Sequence, residues 1–292
     1  MKHAYLIIAH HKFNQLQTLI SLLDDKRNDI FVHVDKKVGR LPFLSARSSC
    51  LIILDKRIDT RWGDVSQLKT ELLLFETAYK INTERYRYYH LLSGDDLPIK
   101  TNDYIHDFFE RNDGKEFVGY TNMNHEQMRN RVFQYHFLTR HYKQTGARGV
   151  LVQNLRIALE TIVNALVIRR EDMELKKGAN WVSITDEFCR YLLSKKDFLF
   201  KRFKHTFCCD EFFIQTLLWD SPFKDNIYDL DDEYNGCMRA IDWNRGGPYV
   251  WGGEDKDKEL LRSSDCLFAR KFDMDRYPDI VNYIKDMLSI GV

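Results

Sequence analysis

Ala4-Tyr5-Leu6-Ile7-Ile8-Ala9-His10-His11-Lys12 opens the chain with six apolar residues that run straight into two histidines. An unbroken apolar run of this length fits a strand covered on both faces. It is too short to cross a bilayer and lacks a small-residue cleavage site. Leu16, Leu19, Ile20 and Leu23 follow at helical spacing, then Ile30-Phe31-Val32-His33-Val34 as a second strand and Leu51-Ile52-Ile53-Leu54 as a third. Asp64-Val65-Ser66 supplies helix-start chemistry, and Leu68, Leu72, Phe75 and Tyr79 mark one helix face. Tyr88-Tyr89-His90-Leu91-Leu92 makes a fourth strand ending at Ser93-Gly94-Asp95-Asp96. Thr101 can cap a helix carrying Ile105, Phe108 and Phe109, and Glu116 to Tyr120 reads as a fifth strand. The alternation predicts an α/β fold with a Rossmann-like, mostly parallel sheet flanked by helices. Ligands of such sheets bind beyond the strand C-termini, where His10-His11, Asp35 and Ser93 to Asp96 fall.

The second half is less regular. Met123 to Arg148 is polar, aromatic and rich in His and Arg, and reads as a loop or excursion. Leu151, Leu155, Leu159, Ile162 and Leu166 predict an amphipathic helix. Its apolar stripe is expected to pack on the core, with docking on a membrane or partner as the alternative. Gly178-Ala179-Asn180-Trp181 precedes a helix starting near Thr185, and Cys209-Asp210-Glu211 opens another. Nothing reads as a repeat or a linker, so residues 1–292 are expected to form a single domain.

Composition narrows the function classes. Of 292 residues, 44% are hydrophobic and 30% charged, ordinary for a globular protein. A formal net charge of +1 provides no global field for nucleic acid or anionic membranes. No stretch is long and apolar enough to span a bilayer. The six cysteines show no paired metal-ligand spacing and are expected to be reduced thiols, which points to the cytoplasm.

Few residues offer chemistry by type and position. No Gly-rich phosphate loop is present. Asp95-Asp96 comes closest to a metal site, yet adjacent strand residues tend to point to opposite sides, and a turn favours Asp anyway. Asp210 suits a helix cap. Glu211 would project from the first turn, as a general base or as a surface glutamate. Arg239, Arg245, Arg270 and Lys271 can neutralise a departing diphosphate or simply face solvent.

These segments resemble, in order, the core 2 and I-branching β-1,6-N-acetylglucosaminyltransferases and the related peptide O-xylosyltransferases. The resemblance is carried by Ala4 to Lys12, His33-Val34-Asp35-Lys36-Lys37, Trp62-Gly63, Ser93 to Thr101, Asp210-Glu211 and Phe268-Ala269-Arg270-Lys271-Phe272-Asp273. It implies a GT-A-like glycosyltransferase fold with a nucleotide-binding half (1–122) and an acceptor and catalytic half (123–292). It implies inverting transfer from a UDP-sugar, N-acetylglucosamine before xylose and glucose, to a glycan hydroxyl, with no metal or other cofactor. By position, Glu211 is the expected base. Ile8, Asp35, Gly94, Asp96, Arg239, Arg270 and Lys271 are the expected donor-binding residues. Gly178, Trp181, Asp210 and Trp243 are expected near the sugars. Asp95 stands where the branching enzymes have an apolar residue, which keeps open a metal-dependent xylosyl or glucosyl transferase using Asp95 and Asp96. A non-catalytic UDP- or glycan-binding relative is the other alternative. Animal members are membrane-anchored and disulfide-bonded. This chain resembles a bacterial member instead, cytoplasmic or at the inner face of the membrane, serving surface or extracellular polysaccharide synthesis. Residues 123–177 find no match, and acceptor choice is expected there.

Overall fold

A computed structural model of the chain describes residues 1–81, 85–167, 169 and 173–289. Its centre is a five-stranded sheet in the order β3-β2-β1-β4-β6. Strands β1 (His3–Ala9), β2 (Asn28–Val34), β3 (Cys50–Ile53) and β4 (Tyr88–Ser93) are parallel, and β6 (Ser183–Thr185) pairs antiparallel to β4. A second sheet has β8 (Phe268–Arg270) between β5 (Asp96–Pro98) and β7 (Arg239–Ile241).

The apolar run of β1 is buried on both faces, as its lack of alternation requires. Tyr5, Ile7 and Ala9 point into one core, and Ala4 and Leu6 into the other. The first core is completed by α1 (Phe13–Leu22), by α3 (Asn102–Arg111) and by α11 (Pro278–Ser289). The second is built by α2 (Ser66–Ile81), α6 (Asp186–Ser194), α7 (Lys196–Phe203) and α8 (Phe213–Trp219). Between these lie α4 (His125–Met128) and α5 (Gly146–Leu166), and late in the chain α9 (Glu233–Cys237) and α10 (Asp255–Ser263). Thr101 and Thr185 cap α3 and α6 by accepting from Tyr104 N and Phe188 N.

Three expectations change. Glu116 to Tyr120 is no strand. Its pairing shrinks to isolated bridges, Glu116 with Ile227 and Phe117 with Ser183, because β6 takes the sheet edge. Asp210 caps nothing. Cys209–Glu211 is a 3-10 turn, α8 starts two residues later, and the Asp210 side chain turns inward. The stripe on α5 does not reach the core either: Gly149 is its one buried residue.

Strand order reverses direction at β1, with β2 and β3 on one side and β4 on the other. The C-terminal ends of β1 and β4 therefore diverge around a crevice, the position at which open α/β sheets bind ligands.

Candidate active site

A cleft of about 760 Å³ opens over that crevice. Ile8 and His10 from the end of β1, Asp35 after β2, and Ser93 and Asp95 after β4 form its floor. Gly94 N donates to Ile8 O (2.9 Å), and Gln15 Nε2 donates to Gly94 O (2.8 Å), so the β4 turn is tied to β1 and α1. Asp35 is buried and fixed. It accepts from Lys37 N (2.8 Å) and Thr60 N (3.1 Å) and pairs with Lys37 Nζ (2.8 Å).

Two adjacent cations, Arg270 and Lys271, also face the cleft. Antiparallel pairing of β5 with β8 sets Asp96 opposite Arg270. Arg270 Nη1 lies 3.1 Å from Asp96 Oδ1, and its guanidinium stacks 4.3 Å from the Trp181 ring. Asp96 also accepts from Ser93 N (2.8 Å) and Ser93 Oγ (3.0 Å). Burial raises its pKa, with Arg270 opposing the rise. Asp95 goes the other way, to Lys271 Nζ (3.2 Å) and Lys12 Nζ (3.5 Å). The doubled aspartate is a poor fit to a metal site: Asp95 pairs with Lys12 and Lys271 and Asp96 with Arg270, so the two carboxylates answer different cations. Among the described residues no group of three His, Cys, Asp or Glu side chains gathers as a metal would require.

Carboxyl groups stand at and beside the cleft. Glu211 Oε2 pairs with Arg131 Nη1 (2.8 Å) and Lys177 Nζ (3.4 Å), and its side chain is 33% exposed. Glu211 does not line the cleft, but its neighbour Asp210 is bonded to residues that do. Asp210 Oδ2 accepts from Gln67 Nε2 (2.7 Å) and Asn180 Nδ2 (3.4 Å), while its buried Oδ1 has no hydrogen-bond partner. Burial pushes the Asp210 pKa up to about 7, and the Glu211 charge adds to the rise. Glu71, from α2, lines the cleft and is buried, with Oε2 likewise unpartnered. Burial and the nearby Asp210 hold its pKa well above the carboxylate range. Gly178 supports this cluster from behind. Its N donates to Glu211 O (3.0 Å), and a Cβ would sit 1.8 Å from Gly119 O.

Ile8, Asp35, Trp181, Arg270 and Lys271 are thus brought to one cleft. Gly94, Asp96, Asp210, Gly178 and Glu211 stand directly behind or beside it. Arg239 and Trp243 do not line it. Arg239 is 1% exposed. Its guanidinium donates to Cys237 O (2.7 Å), Val182 O (3.2 Å) and Ser183 Oγ (3.1 Å) and stacks 4.4 Å from Phe268. Its guanidinium is thus held under the sheets, away from the residues that line the cleft. Trp243 is half exposed, with Gly247 against its ring.

Sequence reading missed Glu71 and Arg131. One signal existed for Glu71: an acidic residue between Thr70 and Leu72 on the face that α2 buries. It singled out no residue in 139–148, part of the stretch where acceptor choice is expected, yet Thr139, Arg140, His141, Lys143, Gln144 and Arg148 line the cleft.

The model of the Core-2/I-Branching enzyme family matches residues 3–259. Xylosyltransferase 1 of Rattus norvegicus is 25% identical over 309 residues, covering 98% of this chain and 35% of that protein. Xylosyltransferase 1 of Homo sapiens is 26% identical over 294 residues, covering 92% and 28%. Xylosyltransferase 2 of Canis lupus familiaris is 22% identical over 289 residues, covering 92% and 32%. The chain spans about a third of the length of these relatives. The crystal structure of mouse xyloside xylosyltransferase 1 in its apo form aligns over 92% of this chain and 96% of that one, with 12% identity and a TM-score of 0.36. From the family match over most of its length, the chain belongs to the Core-2/I-Branching enzyme family, a glycosyltransferase family to which xylosyltransferases are related.

Proposed function

We propose that the chain transfers a sugar from a UDP-sugar to a glycan hydroxyl with inversion and without a metal. The observation that carries this reading is the Arg270–Lys271 pair, set into the cleft at the β1–β4 divide with each cation steadied by its own aspartate. Two fixed cations beside a departing nucleoside diphosphate supply the charge that a divalent ion supplies elsewhere. Trp181 beside Arg270 offers a flat apolar face for a sugar ring. Asp35, with Ile8, offers a carboxylate to the donor's ribose and base. Glu211 serves as base: its Oε1 makes no hydrogen bond or ion pair among the described residues. It takes the acceptor proton as the oxygen attacks the anomeric carbon opposite the diphosphate. A surface or extracellular glycan is the acceptor class this proposal favours.

N-acetylglucosamine and, from the xylosyltransferases among the relatives, xylose stand level as candidate donors, ahead of glucose. A UDP-release assay over UDP-N-acetylglucosamine, UDP-xylose and UDP-glucose, with and without EDTA, tests both points. Release that EDTA abolishes overturns the metal-free reading, and no release from any donor overturns the transfer.

A second reading makes Glu71 the base, because Glu71 lines the cleft and Glu211 does not. Base removal costs about 10²- to 10⁴-fold in turnover. On the main reading Glu211→Gln loses that much and Glu71→Gln far less. The reverse order transfers the role to Glu71.

A further inference from the structure

Helix α5 is amphipathic, but it is mounted with its polar side inward. Gln153 Nε2 donates to His141 O (3.0 Å) and Tyr142 O (2.8 Å). Asn164 brackets Tyr135, accepting from its N (2.7 Å) and donating to its O (3.1 Å). Glu160 accepts from Phe137 N (3.1 Å) and pairs with Arg156 (2.9 Å), whose guanidinium lies over Tyr142. These four residues recur at positions 153, 156, 160 and 164 and hold the helix to the segment 135–142. The opposite side presents Leu151, Leu155, Leu159, Ile162 and Leu166, and Leu151 and Leu166 are 69% and 79% exposed. Val150 and Ile157 widen the stripe. Contiguous apolar surface of this kind marks an interaction site.

We infer that α5 seats the chain on the surface of a lipid bilayer, with its apolar stripe in the interfacial layer. Three observations choose a bilayer over a second protein. First, the outward side carries no acidic residue, and its one ionised side chain is Arg148 at the N-terminal end. Coiled-coil seams are instead flanked by charges of both signs that select a partner. Second, the stripe runs along a single helix about 32 Å long, a narrow seam beside the roughly 1,200 Å² that a stable dimer buries. Third, the N-terminal end of the helix is rimmed by the residue types of a membrane interface. Trp62 and Tyr142 are 47% and 40% exposed with rings 5.6 Å apart, and Lys143 Nζ lies 4.3 Å from the Trp62 ring. No helix among the described residues is long and apolar enough to span the bilayer, so α5 lies along it. Trp62, Lys143 and Arg148 also line the cleft, whose mouth therefore opens at the lipid surface. The inference does not depend on what the cleft transfers.

The test is flotation of the purified full chain with vesicles of phosphatidylcholine, alone and with phosphatidylglycerol, beside the triple variant Leu151→Gln, Leu155→Gln, Ile162→Gln. All three residues face solvent, so the variant folds, which circular dichroism and an unchanged thermal midpoint verify. The wild type floats with vesicles and the variant loses at least tenfold in bound fraction. Equal flotation of the two, or none by the wild type, overturns the proposal. So does a wild-type dimer in light scattering that the triple variant turns to monomer, which gives the stripe to a second copy.

Discussion

Asp210 shows how a residue's surroundings decide its chemistry. As a carboxyl sealed under the cleft wall, with one oxygen bonded and the other unpartnered, it favours its protonated form up to about pH 7. The sign follows from linkage. A folded-state pKa raised above the unfolded value gives stability that is full below about pH 4 and is lost as pH rises towards 7. The total is on the order of 4 kcal/mol. Asn mimics the protonated form and can still accept from Gln67 and Asn180, so Asp210→Asn removes this slope. Urea unfolding at pH 5 and pH 8 measures it: the wild type weakens across the interval by a few kcal/mol more than the variant, and parallel curves refute the assignment. Gly178 behind the same wall is as constrained. Gly178→Ala forces a methyl group against Gly119 O, and overpacking of this kind costs about 1–3 kcal/mol or more. Thermal unfolding should show the loss. Sequence gave no reason to bury Asp210, because a cap residue and an inward carboxylate look alike until the partners 143 and 30 residues away are in place.

Elements were more legible than residues. The four parallel strands and the helices between them follow from apolar runs and helical spacing, since a sheet buried on both faces leaves its mark locally. The predicted Thr101 cap forms, and Thr185, read only as lying near a helix start, caps as well, but their surroundings differ. Thr101 caps α3 near solvent, so Thr101→Ala is expected to cost about 1 kcal/mol. Thr185 also donates its hydroxyl to Glu116, whose carboxylate accepts from Thr185 N as well (2.9 Å). Burial lifts the Glu116 pKa to about 7, so losing that hydroxyl strands a buried acid. Thr185→Ala should therefore cost roughly 2–3 kcal/mol in denaturant unfolding, clearly more than Thr101→Ala. Equal losses would mean that Glu116 draws nothing from the hydroxyl. Helix α5 was legible in its span but not in its orientation. A heptad-like stripe reports that one side is apolar and says nothing of which side meets the chain. Here the hydrogen bonds of Gln153 and Asn164 to the loop that precedes the helix reverse the usual outcome.

At the scale of the molecule, the site exists because two sheets meet. The five-stranded sheet provides the crevice, and the β5-β8-β7 sheet carries Arg270 and Lys271 to its rim. Arg239 joins the two. It stands on β7 yet donates to Val182 O and to Ser183 Oγ on β6, so its charge is spent on architecture. A basic residue near the C-terminal quarter could as easily have been a diphosphate ligand, and only the sheet pairing separates Arg239 from Lys271. The two therefore predict opposite results. Arg239→Met keeps bulk against Phe268 but leaves Cys237 O without its charged donor, and should lower stability by about 1–3 kcal/mol. Its UDP affinity, measured by calorimetry at a temperature where the variant is folded, should stay within twofold of wild type. Lys271→Ala frees an ion pair at a partly exposed site, so stability should shift by less than about 1 kcal/mol. Its UDP affinity should fall at least tenfold, because a cation facing the cleft no longer meets the diphosphate. If Arg239→Met instead weakens UDP binding while Lys271→Ala does not, the diphosphate does not lie at the rim carried by β8, and the cleft needs a different occupant.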